Sequence, residues 1–277
     1  MLCLLVLSLL ACAEKEPEEG SSENQEQTGT PSEQEENILT SWARIPAGTF
    51  VSSLTGEEAN ISSFLIQKTA VNAFDLYDYC GEKDDCFIEA YTEENARVPT
   101  LCGGGHISMS QQLWPANCVS HQTASDYCES IGARLPTADE WEYAASHDGN
   151  SAQKKKYAWG DDEPTQCVTA NYAIPDDNGD PIPCKPTTNI HYHWVDDYPQ
   201  GDTPLGLRNM SGNVAEWTST TKIIMNEDNG EEVEHYIIKG GSGLSLPEQI
   251  ELSAYDTAAP DTISTMIGFR CIKDIQD

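Results

Sequence analysis

The chain has 277 residues, with 46 Asp and Glu against 15 Lys and Arg, a formal charge of −31. Nucleic acid and anionic lipid are gripped by clustered Lys and Arg, so that balance excludes both as charge-driven partners. The 6 Trp, 11 Tyr and 10 Cys supply core-forming side chains for one large or two small domains, which excludes a purely disordered acidic polymer.

Met1 to Ala11 is an uncharged apolar run, too short to cross a bilayer and suited to the apolar part of a secretory signal. Leu9-Leu10-Ala11-Cys12 resembles a bacterial lipobox, although no basic segment precedes it; Cys12 is then the lipidated first residue of the mature chain. Ala13 after that cysteine implies, by the same resemblance, sorting to the outer membrane. Residues 12–39 carry nine Glu and one Lys among Ser, Gln, Pro and Gly, a net 8 negative. Such a segment cannot bury enough surface to offset its ordering entropy, and it reads as a self-repelling tether. The folded domain is expected over 40–277.

In chain order, Asn72 caps a helix carrying Phe74, Leu76, Tyr77 and Cys80. Thr123 is the expected cap of a second helix, with Ala124, Tyr127, Cys128 and Ile131 on one face and Gly132 as its stop. Thr137 and Glu140 form a capping box ahead of Trp141, Ala144 and Ala145. His191 and His193 sit at i, i+2 and would share one side of a strand, a possible seed for a metal site although no third ligand is placed. Val233–Lys239 and Met266–Ile272 read as short strands, and most of the remainder as loop. Lys154-Lys155-Lys156 reads as a solvated loop, and Asp176 to Asp180 as an acidic turn without the spacing of a calcium loop.

Without Cys3 and Cys12, eight cysteines remain: Cys80, Cys86, Cys102, Cys118, Cys128, Cys167, Cys184 and Cys271. An even count in an exported chain reads as a disulfide framework, and no C-x-x-C pair suggests zinc. Eight cysteines allow about 105 pairings, so connectivity stays open. Near neighbours give the simplest set, Cys80–Cys86, Cys102–Cys118 and Cys167–Cys184, which leaves Cys128 with Cys271. The Cys80 to Cys118 stretch, with Gly103-Gly104-Gly105, is then a pinned excursion lacking the strand–helix context of a phosphate loop.

Several ordered blocks carry a family resemblance. They include Ile45-Pro46-Ala47-Gly48-Thr49-Phe50, then Arg134-Leu135-Pro136-Thr137-Ala138-Asp139-Glu140-Trp141-Glu142-Tyr143-Ala144-Ala145. Asn209-Met210-Ser211-Gly212-Asn213-Val214-Ala215-Glu216-Trp217, Gly240-Gly241-Ser242 and Gly268-Phe269-Arg270-Cys271 complete the set. From about residue 42 onward the chain resembles the formylglycine-generating enzyme family, the sulfatase-modifying-factor domain. The resemblance implies an α+β, C-type-lectin-like fold with little regular secondary structure and several disulfides. It also implies a helix-to-C-terminus disulfide, coinciding with Cys128–Cys271, and a structural calcium site at Asn209, the carbonyls of Gly212 and Val214, and Glu216. A second family calcium site begins near Asn171, but its later ligands find no counterpart.

Family enzymes that make formylglycine hold copper through two cysteines shortly after Gly-Gly-Ser, because soft thiolates suit Cu(I). Ser245 and Ile250 occupy those two positions here, so no copper and no such activity are expected. A lipid-anchored, non-catalytic binding or scaffolding module follows. Its expected partner is an envelope protein or a glycan met through Trp159, Tyr192 and Trp194, with some family lipoproteins serving as envelope components. The rival reading is a metal-dependent oxidase of the same family, generating formylglycine by another arrangement or using iron through His191 and His193. No serine-nucleophile elbow supports hydrolysis.

Overall fold

A computed structural model describes residues 41–81, 113–152, 154–187, 190–226 and 230–275. The expected signal, the lipidation site at Cys12, the tether, and Cys86, Cys102 and Gly103 to Gly105 lie outside the described residues. Among the described residues no helix is long and apolar enough to cross a membrane.

Four short strands open the domain: β1 (Trp42–Ile45), β2 (Gly48–Val51), β3 (Glu58–Ile61) and β4 (Phe64–Gln67). Helices α1 (Ala73–Cys80), α2 (His121–Ser130) and α3 (Ala138–Ser146) follow, then β5 (Ile174–Pro175) and β6 (Pro181–Ile182). The C-terminal part holds β7 (Ala215–Met225), β8 (Glu232–Lys239), β9 (Tyr255–Ala258), β10 (Ile267–Gly268) and β11 (Ile272–Asp274). Two sheets carry the fold, one ordered β1-β4-β11 and one ordered β10-β7-β8-β9. The last strand therefore pairs with one of the first, Ile272 opposite Ile66, and closes the domain.

Local chemistry accounts for the helix ends. Asn72 accepts from the Asp75 amide at 2.9 Å, and Gly81 ends α1 with φ 51°. Thr137 and Glu140 complete the capping box in both directions, at 3.1 and 2.8 Å. Helix α2 starts earlier than expected: Ser120, not Thr123, is the cap, and Thr123 donates its amide to the Ser120 hydroxyl at 3.1 Å. Both residues can cap. His121 decides between them, because its ring stacks on Tyr236 and its Nε2 reaches the Thr218 carbonyl at 3.0 Å, which fixes the first turn.

The expected helix faces are buried in part: Leu76 and Cys80 of α1 are interior while Phe74 and Tyr77 are exposed, and Ile131 beyond α2 is half-buried. Ala124, Tyr127 and Cys128 of α2 pack with Trp217 and Phe269, while Trp141, Ala144 and Ala145 of α3 pack on Ile45, Phe64 and Ile66. The strand β8 lies where Val233–Lys239 is expected. The single strand expected over Met266–Ile272 is instead two, since β10 pairs with β7 and β11 with β4. Between them Arg270 turns wholly into the interior, and Cys271 donates its amide to the Gln67 side chain at 2.8 Å.

Cys128–Cys271 pins α2 to that crossing, and Cys167–Cys184 closes the loop that holds β5 and β6. Cys80 and Cys118 are also disulfide-bonded. The turn over Asp176 to Asp180 is present, with the exposed Asp176 carboxylate accepting from the Asn178 and Asp180 amides, both at 2.8 Å.

Candidate functional site

Four segments meet at the loop that leads into β7. Asn209, Gly212 and Asn213 all take positive φ (56°, 93° and 73°), which Asn and Gly tolerate and other side chains resist. At Gly212 a Cβ would fall 2.4 Å from the Asn171 carbonyl oxygen, so glycine is required by the close approach as well. The Gly212 amide donates to Gly240 O at 2.7 Å, the Asn213 amide to Asn171 O at 2.8 Å, and the Gly243 amide to Asn213 O at 3.0 Å. The Asn213 side chain takes the place of a neighbouring strand. Its Oδ1 accepts from the His193 amide at 2.7 Å and its Nδ2 donates to His193 O at 3.2 Å.

His191 and His193 consequently lie in an irregular segment rather than the strand expected for them. Side chains of Asn171 and Asn213, not a partner strand, satisfy that backbone, so strand alternation does not govern where the rings point. His193 Nδ1 stands 3.4 Å from Lys185 Nζ and 3.4 Å from Asp197 Oδ2. Burial, aided by Lys185 and opposed by Asp197, holds its imidazole below the ordinary histidine range. His191 Nδ1 is buried and unbonded among the described residues, and these contain no group of three or more His, Cys, Asp or Glu able to hold a metal.

Glu216 does more than the sequence suggests. It is buried and grips Arg270 through both oxygens, at 2.7 Å to Nε and 2.8 Å to Nη2, while Oε2 also accepts from Trp141 Nε1 at 2.8 Å. Arg270 spends its remaining protons on the carbonyls of Gln67, Lys68 and Arg208 at 3.0, 3.1 and 2.7 Å. All five guanidinium protons thus have acceptors, the condition under which a buried charge is tolerated.

The oxygens of Asn209, Gly212, Val214 and Glu216 are hard donors of the kind Ca²⁺ takes. Asn209 donates Nδ2 to Val195 O at 3.1 Å, which orients its Oδ1 as the remaining donor oxygen. The Asn171 Oδ1 is buried and lacks a hydrogen-bond donor among the described residues. Its Nδ2 is committed to His191 O at 2.9 Å and Asn213 Oδ1 at 3.1 Å, which fixes the amide's orientation. An orphaned acceptor beside this loop fits a cation, although Arg270 already neutralises the one carboxylate in the set.

The Ser245 hydroxyl accepts from the Ser242 amide at 2.9 Å, and Ile250 is fully buried against Tyr157 and Tyr172. All six described cysteines are in disulfides, so no free thiol occurs among the described residues. Of the three aromatic residues expected at the surface, Trp194 is exposed (45%) and Trp159 stacks on buried Tyr157 at 5.0 Å. Tyr192 is buried, its ring edge-on to Trp114 at 5.4 Å.

Two further cations escape sequence reading. Lys239 is fully buried, donates to Glu142 Oε2 at 3.0 Å and to Leu252 O at 2.7 Å, and faces the Trp141 ring. Burial holds its ammonium below the ordinary lysine range, with Glu142 opposing. In the lysine run expected to be solvated, Lys156 pairs with Glu163 at 2.8 Å, whereas the Lys155 side chain is half-buried and its Nζ is enclosed with no hydrogen-bond partner among the described residues. For Lys239 the sequence signal is its place just before Gly240-Gly241-Ser242.

This sheet-rich architecture with few helices is the α+β, C-type-lectin-like fold. A solved structure of CarF superposes with a TM-score of 0.58 over 85% of this chain and 98% of that one, at 18% identity. Residues 27–275 match the Sulfatase-modifying factor enzyme 1-like domain, and the chain belongs to that family. It is 33% identical over 188 residues to the Formylglycine-generating enzyme of Mycobacterium tuberculosis, covering 58% of this chain and 57% of that protein. It is 34% identical over 116 residues to a Hercynine oxygenase of Mycolicibacterium thermoresistibile, covering 42% of this chain and 23% of that protein. The chain therefore spans little more than half of the first relative and under a quarter of the second.

Proposed function

We propose that the chain is a lipid-anchored, extracytoplasmic binding module of its family that does not generate formylglycine. The carrying observation is the state of sulfur. Ser245 and Ile250 stand where the family resemblance places the copper thiolates, and every described cysteine is consumed in a disulfide. A serine hydroxyl is a hard, protonated oxygen and isoleucine has no donor atom, so neither holds Cu(I). Disulfides of this density also suit an oxidising compartment, in keeping with a signal at 1–11 and lipidation at Cys12.

Calcium is the cation this reading assigns, held by Asn209, the carbonyls of Gly212 and Val214, and Glu216, with Asn171 alongside. Its role there is to hold the loop rather than to react. The recognition face is the wall around exposed Trp194 and half-buried Trp114, beside a cavity of about 350 Å³ that also takes in Lys185 and Asp197. An envelope protein or a glycan is the partner class, approached by a domain that its acidic tether holds off the membrane.

A second reading rests on His191 and His193 and on the Hercynine oxygenase likeness: an iron-dependent oxidase. The unbonded His191 Nδ1 favours it. Metal content of the purified, disulfide-intact protein by mass spectrometry separates the two, together with an aldehyde assay on a cysteine peptide of sulfatase type after copper loading. Calcium alone and no aldehyde is the expected result. Stoichiometric copper with aldehyde formation overturns the proposal, and stoichiometric iron transfers it to the oxidase.

A further inference from the structure

A cavity of about 350 Å³ lies away from the β7 loop, between the β2–β3 hairpin and the C-terminal end of α3. Phe50, Glu58, Glu142, Ser146, Lys154 and Lys155 are among the residues that line it. Its charges are unevenly matched. Glu142 is spent: Oε2 accepts from Lys239 at 3.0 Å and Oε1 from the Ser53 hydroxyl at 2.5 Å. Lys155 is not: its side chain is half-buried, its ammonium nitrogen is enclosed and meets no hydrogen-bond partner among the described residues, and Asp148 reaches it only through its field, not through a hydrogen bond. Glu58 stands exposed at the rim, on β3 opposite Val51.

An enclosed ammonium without acceptors is an unstable arrangement, since it loses hydration and gains only the screened attraction of the exposed Asp148 in return. In a chain with 46 acidic side chains, an enclosed cation without an acceptor is also the reverse of what composition supplies by default. The missing partner is an anion that enters the cavity. Phosphate suits the site poorly, because a dianion would face the carboxylate of Glu58 at the rim. A monocarboxylate suits Lys155, and a cationic group on the same guest suits Glu58. Phe50 and Ala152 add apolar surface to the same lining.

We infer that this cavity is a binding site for a small zwitterion of the amino-acid class, with its carboxylate on Lys155 and its ammonium toward Glu58. The site is independent of the sulfur positions and of the calcium loop, and it stands whichever reading of the family chemistry holds.

Calorimetric titration of the full, disulfide-intact chain tests it, with L-valine and 5-aminovalerate as zwitterions. Propionate lacks the ammonium, butylamine lacks the carboxylate, and inorganic phosphate supplies a dianion. Binding of at least one zwitterion is expected, with propionate and butylamine each at least about 10-fold weaker. Lys155→Gln should weaken the zwitterion by about 10-fold or more, Lys155→Arg should retain most of it, and Lys156→Gln should leave it unchanged. Glu58→Gln should weaken the zwitterion but not propionate. Wild-type thermal melts for the variants guard against misfolding. No heat from either zwitterion at about 100-fold excess over protein, or Lys155→Gln binding as tightly as wild type, overturns the site; tighter phosphate binding overturns the assigned class.

Discussion

Glu216→Gln isolates the buried ion pair at the centre of the site. The amide keeps the size of the carboxylate and one acceptor oxygen, but removes the charge that faces Arg270 at 2.7 and 2.8 Å. Its NH₂ group must then confront guanidinium or indole protons, all of which are donors. Arg270 is left fully buried, with carbonyls of Gln67, Lys68 and Arg208 as its remaining acceptors. Breaking one side of such a pair costs about 3–5 kcal/mol, whereas the attraction of the intact pair is largely cancelled by desolvation. For a domain of this size that loss lowers Tm by on the order of 10 °C. The measurement is urea unfolding of wild type and variant, with and without EGTA. A loss within about 1 kcal/mol in both conditions would refute the view that Glu216 is the counter-ion of Arg270. A loss that disappears in EGTA would show that Glu216 acts through a cation instead.

Two other outcomes follow from the scaffold. Loop-closure entropy predicts that Cys128→Ala/Cys271→Ala, opening a separation of 143 residues, costs about 5 kcal/mol by the chain-entropy relation. Cys167→Ala/Cys184→Ala, with a separation of 17, costs about 3 kcal/mol, and a larger Tm loss from the shorter loop would contradict that ordering. Burial holds the His121 imidazole below its unfolded value of 6.5, opposed by the Thr218 carbonyl, so the unfolded chain binds the proton more readily. Stability from His121 is therefore complete above pH 6.5 and declines as pH falls toward the folded-state pKa. NMR titration should return a value below 6.5, and a value at or above it removes this contribution.

What the sequence reveals here is chemistry that acts over a few residues. Asn72 and the Thr137–Glu140 box are local hydrogen-bonding devices, and the α2 face is a local period. Tertiary choices escape it. Ser120 and Thr123 are equally able caps until His121 finds Tyr236. Strand β7 is invisible to alternation because Ala215 to Thr218 are all buried, as in a strand covered on both faces. The expected strand at His191 fails because Asn side chains, which no pairing rule anticipates, supply its hydrogen bonds. Glu216 is recognisable as a special carboxylate from its block, but its partner lies 54 residues on and only the fold joins them.

The net charge takes on a different meaning once the cations are located. Of only 15 basic side chains, Arg270 and Lys239 are fully interior, each bound to a buried glutamate. Arg208 is held by Asp202 at 2.7 Å, and Arg134 by Glu140 at 2.7 Å. The scarce cations thus tie the loops together, and the acidic excess is left largely to the surface. Such a surface repels anionic partners within a Debye length of about 8–10 Å and favours neutral or cationic ones. Lys155 departs from this pattern: its side chain is half-buried with the ammonium nitrogen enclosed, and it has the field of the exposed Asp148 carboxylate but no hydrogen-bonded carboxylate like theirs. A fold that matches its interior cations so fully leaves this one for a guest that carries its own charge.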